Sequence, residues 1–190
     1  MAVDLPWGDP RTAKFTTGVG LITSNGPHGH NIMPAEWTHP LSYSPGIISV
    51  HIGFGKATGE NIEKTKVFGV NMAASDQNVL SSLAGNHHGK EFDKIGALKE
   101  LGFRFFPAKK IDVLLVEGSA LNCECRLIEQ KTVGDHIMFI GEIVELYPAN
   151  EKPPLVYNNT KYSAPGPKIH KPPAEELERF EKAFKKFTKK

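Results

Sequence analysis

Cysteine is nearly absent from this chain, with two residues, Cys123 and Cys125, in 190. Their spacing in ALNCECRLI puts both side chains on one face of a strand. A disulfide framework is therefore excluded, and the four-ligand zinc pattern lacks its second cysteine pair. Both read as buried small apolar residues. No apolar run reaches the roughly 18 residues that a bilayer-spanning helix needs, and the opening MAVDLPWGDP has no basic stretch leading into an apolar one. Charge of one sign is not in excess either. The 23 Lys and Arg against 21 Asp and Glu leave a formal net charge of +2, which gives no general attraction for nucleic acid. The expectation is a soluble, cytoplasmic protein with no membrane or nucleic-acid partner. At 39% apolar content, 190 residues bury one good core, so one globular domain is expected.

Strand-like stretches dominate what is present. FTTGVGLIT, residues 15 to 23, is closed by Ser24, Asn25 and Gly26, a hairpin signal. KVFGVNM at 66–72, DVLLVEG at 112–118, SALNCECRLIEQ at 119–130 and HIMFIGEIVELY at 136–147 read as further strands, with a turn at KTVGD, 131–135. SDQNVLSSLAG predicts a helix capped by Ser75, with Val79, Leu80 and Leu83 on its apolar face. Residues 28–46, with three prolines, three histidines and Trp37, read as a binding loop, and residues 85–110 carry no clear period. About six strands against two or three short helices favour a mainly β barrel or sandwich over a parallel sheet. Prolines crowd between Pro148 and Pro173, as in an extended tail. In AEELERFEKAFKKFTKK, Leu177, Phe180, Phe184 and Phe187 recur at helical spacing, with Glu residues early and Lys residues late. That helix is expected to dock on the barrel or on a partner subunit.

One stretch changes character midway. SVHIGFGKATGENI, residues 49–62, begins as a strand with Val50 and Ile52 on the face opposite Ser49 and His51. It then passes through Gly55, Lys56, Ala57, Thr58 and Gly59 into a helix start. Unpaired N–H groups, the Lys56 ammonium and the Thr58 hydroxyl match a phosphate. The same turn also reads as an ordinary strand-to-helix loop with Thr58 as N-cap. GFGKAT lacks the third glycine of a dinucleotide fingerprint, and no GxxxxGK[ST] sequence occurs.

The order LIT at 21–23, NIMPAEWTHPLS at 31–42, GIISVHI at 46–52, KATGENI at 56–62 and VFGVNM at 67–72 resembles the flavin reductase-like FMN-binding split-barrel family. LNCECRLI, the Gly-Asp-His turn of GDHIMFIGEIVEL, and PLVYNNTKY at 154–162 resemble the family's later segments, so the likeness runs from about residue 12 to 162. The resemblance implies a Greek-key split β-barrel over residues 1–165, with short inserted helices, followed by a Pro-led tail and C-terminal helix over 166–190.

It also implies FMN as cofactor, NADH or NADPH as hydride donor, and a small-molecule electron acceptor such as free flavin, a ferric complex or oxygen. By the same likeness Lys56, Ala57 and Thr58 fall to the phosphate, and Asn31, Met33, Ala35 and Trp37 to the flavin-side loop. Ser49 and His51 fall to the ligand groove, and His136 to the nicotinamide side, where it orients rather than transfers protons. Trp37 reads equally as a core residue, His51 and His136 as surface histidines. His87 and His88 have no assigned role. No metal is expected: His28 and His30 stand two apart in a loop without a carboxylate nearby. The family forms homodimers, so a homodimer is expected. Two other readings stand beside the reductase. One is an FMN-binding electron carrier without NAD(P)H reductase activity. The other, an oxidase of the pyridoxamine-phosphate type, would need a second basic cluster that the sequence does not show.

Overall fold

β-Branched and aromatic residues at alternate positions build most of the molecule, and the computed structural model describes residues 3–6, 8–158 and 160–188. Asn159 of the expected closing segment and the terminal lysines Lys189 and Lys190 lie outside the described residues. Seven strands form one antiparallel sheet: β2 (Gly20–Ser24), β3 (Asn31–Ala35), β4 (Thr38–Tyr43), β5 (Gly46–Gly53), β6 (Val67–Met72), β9 (Leu121–Val133) and β10 (His136–Leu146). Their order is β3-β2-β6-β9-β10-β5-β4. The sheet curls until β3 approaches β5 without pairing to it, which leaves the barrel split. Strand content of 38% against 21% helix makes the protein mainly β, with a C-terminal helix, as the sequence led us to expect.

Five shorter strands lie outside that sheet. β7 (Phe105–Pro107) pairs with β8 (Leu114–Val116), and β1 (Thr17–Gly18) pairs with β11 (Val156–Asn158), which pairs with β12 (Lys161–Ser163). The tail after Pro148 is thus only partly an appendage. Leu155 is 1% exposed, its carbonyl accepts from Val19 N–H, and its own N–H donates to the carbonyl of Ala73. The expected 28–46 loop is instead β3 and β4, because Ile32 and Thr38 turn inward and pair in register with β2 and β5.

Among the described residues there are four α-helices, α1 (Ala57–Thr65), α2 (Asn78–Asn86), α3 (Lys94–Glu100) and α4 (Ala174–Lys185), and a 3-10 turn at Thr12–Lys14. α1 starts earlier than the Glu60 that the sequence suggested, and α2 begins after Gln77 rather than at a Ser75 cap. α2 turns Leu80 into the core and leaves Val79 half-exposed.

Two cores share the sheet. Inside the barrel, Ile22, Val50, Ile52, Phe68, Val70 and Phe139 pack with Cys123 and Cys125. Outside it, Leu21, Ile32, Leu80, Ile95, Leu98 and Leu155 pack beneath α2 and α3. The two sulfurs lie 3.9 Å apart, and the Cys123 thiol, with burial, pushes the Cys125 thiol well up, so it stays protonated. Gly141, at a bulge in β10, is required by close approach: a Cβ there would stand 2.5 Å from the Phe68 ring. α4 buries none of its residues on this chain, and Phe184 and Phe187 are largely exposed.

One buried charge ties the 108–112 loop to the barrel. Glu124 has no exposure, and its carboxylate accepts from the N–H groups of Lys109 (2.7 Å), Lys110 (2.8 Å) and Ile111 (3.1 Å) and from the Tyr147 hydroxyl (2.6 Å). Burial, with that bond to Glu124, pushes the Tyr147 hydroxyl up to about 12. Glu124→Ala leaves four donors without an acceptor and is expected to cost about 3 kcal/mol or more. Glu124→Gln, which keeps one accepting oxygen, should lose less, and urea midpoints of the three proteins check the order.

Candidate functional site

The first turn of α1 is buried, which is unusual for a helix end with unsatisfied N–H groups. Ala57, Thr58, Gly59, Asn61 and Ile62 all face inward. Side-chain amides hold this turn in place. Asn31 Nδ2 donates to Thr58 Oγ1 at 2.7 Å. Asn61 Nδ2 donates to Ser24 Oγ at 3.1 Å and to the Gly29 carbonyl at 2.9 Å, while Asn61 Oδ1 accepts from His28 N–H at 3.0 Å. These bonds staple α1 to the β2–β3 hairpin. Lys56 occupies the N-cap without a side-chain cap bond, and Gly55, at φ +73°, makes the turn that precedes it.

Ala57 and Thr58 of that first turn, with Lys56 before them, border a cavity of about 780 Å3. β3 supplies Asn31, Met33 and Pro34 to its lining, α1 supplies Ala57 and Thr58 with Lys56 before them, and the β11–β12 hairpin supplies Tyr157 and Tyr162. The α2–α3 connection, from Asn86 to Glu91, closes the remaining side. Tyr162 donates to Ser81 Oγ at 3.0 Å and meets the Tyr157 ring edge to face at 5.4 Å, which fixes the hairpin against α2.

Lys94 is the residue of this site that sequence reasoning missed. It is 6% exposed, lines the cavity, and its Nζ donates to the Ala84 carbonyl at 2.9 Å. Burial and the neighbouring Lys56 push the Lys94 ammonium down to about 8. Among the described residues neither Lys56 nor Lys94 has an ion-pair partner. In sequence, Lys94 follows Asp93, whose carboxylate caps α3 by accepting from Gly96 N–H, so it reads as a solvated first-turn lysine. No local signal marks it as buried.

The other expected site residues separate into two groups. Asn31, Met33, Lys56, Ala57 and Thr58 line the cavity. Ala35, Trp37, Ser49, His51 and His136 do not. Ala35 and Ser49 are buried, Ser49 beside the His39 carbonyl. Trp37, His51 and His136 instead form an aromatic cluster: the Trp37 ring lies 4.6 Å from His136 and 6.2 Å from His51. His136 Nδ1 lies 2.7 Å from Asp135 Oδ1, and this bond holds the Asp135 carboxyl below its ordinary range. Burial, then His39 and His136, lowers the His51 imidazole.

Glu36 joins the cluster to the cavity, since it lines the cavity and precedes Trp37 in the chain. Burial raises its carboxyl, against the pull of His136. His87 lines the mouth with Nδ1 2.9 Å from the Leu83 carbonyl, and His88 lies beside it. His28 pairs with Glu60 at 2.6 Å.

The chain thus forms a split antiparallel barrel with a cavity bordered by the buried, cation-flanked start of α1. The chain belongs to the flavin reductase like domain family, which matches residues 12–166. An Archaeoglobus fulgidus protein of no assigned activity is 31% identical over 118 residues, 61% of this chain and 64% of that relative, so the chain spans just under two thirds of its length. An NADH-dependent FMN reductase of Streptomyces nodosus subsp. asukaensis is 27% identical over 151 residues, 77% of each protein. The fold is shared with an FMN-binding protein from Thermus thermophilus, at a TM-score of 0.77 and 23% identity over 90% of this chain and 98% of that one.

The burial of Lys94 has a measurable signature. Its ammonium loses its proton at about pH 8 in the folded chain, whereas the unfolded chain holds it to about 10.4. The folded state therefore binds fewer protons between these values, and stability from this group rises with pH across that window. Lys94→Met is expected to be more stable than wild type at pH 7 by on the order of 1–3 kcal/mol. The gap should close by about 1.4 kcal/mol per pH unit above 8, as read from urea midpoints between pH 7 and 9.5.

Proposed function

We propose that this chain binds FMN in the cavity and passes electrons from NADH or NADPH to a small-molecule acceptor such as free flavin, a ferric complex or oxygen. The observation that carries this reading is the convergence of Lys56 and the buried Lys94 on the start of α1, with no carboxylate paired to either. A buried ammonium beside a second, exposed one is costly, and a phosphate between them would relieve the repulsion and accept from the helix N–H groups. The rest of the cavity suits a flavin mononucleotide. Met33, Pro34 and Tyr157 offer apolar and aromatic cover for a planar ring, and Asn31 and Ser81 offer polar contacts. The volume lies within the range of about 300–1,000 Å3 usual for small-molecule sites.

Bound FMN supplies the redox chemistry, taking a hydride and releasing electrons to the acceptor. The protein's part is positioning. Lys56, Lys94 and the N–H groups of Ala57 and Thr58 would hold the phosphate, while Asn31 and Met33 would meet the flavin. Ala35 and Ser49, buried behind that wall, would support it. His136, with its ring packed on Trp37 and one nitrogen held by Asp135, and His51 beside them, would form the rim against which the nicotinamide stacks. The 27% identical NADH-dependent FMN reductase supports this reading.

We further propose a homodimer in which the C-terminal segment, 166–190, packs on the partner rather than on its own barrel. β4 is an edge strand with Tyr43 96% exposed, α4 buries none of its residues, and Phe184 and Phe187 are largely uncovered on this chain. Sedimentation at micromolar concentration should give twice the chain mass, and a monomer with FMN bound would refute it.

Anaerobic addition of NADH or NADPH to the FMN-loaded protein should bleach the flavin band, and His136→Ala should slow that step more than it weakens FMN binding. Lys56→Ala should weaken FMN about ten- to a hundredfold and leave riboflavin, which has no phosphate, nearly unchanged. Bleaching by a chemical reductant but by neither nicotinamide would replace the reductase with an electron carrier.

A further inference from the structure

Residues 86–91 line one side of the cavity, and the contacts that hold them there are specific. Gly89 lies against Asn31 so closely that a Cβ built on it would stand 2.3 Å from Asn31 Oδ1, so this approach is open to glycine alone. Asn31 donates to Thr58, so the loop, β3 and the start of α1 meet at one point. One residue further, Lys90 Nζ donates to Glu60 Oε1 at 2.6 Å, and His28 Nε2 lies 2.6 Å from Glu60 Oε2. Glu60 stands one turn after Lys56 on α1, so this ion pair latches the loop across the cationic end of the cavity. Beyond the latch is a second depression of about 580 Å3. It shares Gly89, Lys90 and Glu91 with the first cavity and is lined further out by His28, His30, Phe92 and Lys99. The buried Nδ1 of His30 has no hydrogen-bond partner there.

We propose that the Gly89–Lys90 wall, latched to Glu60, makes this cavity selective for a flavin monophosphate over a flavin dinucleotide, an inference that rests on the flavin reading above. A terminal phosphate at Lys56 and Lys94 stops at the wall and loses nothing. A ligand that continues through a second phosphate to a nucleoside must part Gly89 from Asn31 or Lys90 from Glu60. The second depression, lined by Phe92, by His28, His30 and Lys99 and also by the carboxylates of Glu91 and Asp93, receives the nucleoside once the latch is open. The family match alone does not decide between the two flavins.

The test is the ratio of FMN to FAD dissociation constants, measured by flavin fluorescence in wild type, Glu60→Ala and Lys90→Ala. Wild type should bind FMN at least about tenfold more tightly than FAD. The latch is an ion pair between side chains that are each 40% exposed, so breaking it moves the ratio by a few fold rather than by orders of magnitude. Glu60→Ala should narrow the ratio about three- to fivefold through tighter FAD binding, with FMN unchanged. The double variant should narrow it no further, because both substitutions break the same contact. Equal binding of the two flavins by wild type, or a ratio unmoved in both single variants, overturns this inference and leaves the flavin reading standing. Wild type that binds neither flavin overturns both.

Discussion

The buried start of α1 is the constraint on which the rest of this structure depends. A helix N-terminus taken out of water strands several N–H groups, each costing on the order of 1–3 kcal/mol if nothing accepts from it. Here the surrounding polar groups are arranged to make that burial tolerable. Asn31, on β3, holds Thr58, and Asn61, inside the helix, holds the hairpin through Ser24, Gly29 and His28. β3 therefore cannot shift without moving α1, and α1 cannot shift without unpairing the hairpin. Ala57 and Thr58 of that turn line the cavity beside Lys56, so the positive end of the helix borders that space.

Lys94 extends the same logic at a cost to stability. A lysine at 6% exposure with one carbonyl as its recorded acceptor, close enough to Lys56 to feel its charge, is a poor choice for folding alone. Apolar packing would serve better at that position, as it does at Ile95 and Leu98 on the same short helix. The arrangement fits the phosphate site proposed above: the free protein carries the repulsion, and a phosphate there would remove it. A site of that kind would draw on stability elsewhere, in the two fully formed cores on either side of the sheet.

Much of this was legible in the sequence, and the reasons differ from residue to residue. Val50 and Ile52 alternate against His51, so β5 and its inward face could be read directly, and the Gly-Lys-Ala-Thr turn announced a helix start. β3 and β4 were hidden because prolines, histidines and Trp37 mask the period of two, while their pairing with β2 and β5 is set by distant partners. Lys94 was invisible for a sharper reason. Its neighbours cap and pack α3 in the ordinary way, and only the fold of α2 above it removes water. Tyr157 and Tyr162 lie in a Pro-rich stretch that composition assigns to a tail, yet Leu155 ties that stretch into the outer core.

β2 is buried on both faces and paired on both edges, with Leu21 and Ile22 pointing into different cores. Its amides can meet solvent only when the whole barrel comes apart, so they should report the global opening free energy in hydrogen exchange. β3 is paired directly to this strand and carries Asn31, whereas the facing wall is the connection between two short helices, held by side-chain bonds. The cavity therefore has one side that exchanges with the slowest part of the molecule and one that opens by local fluctuation. Ligand entry and exit belong kinetically to the second side, and their rates are separable from the stability of the barrel.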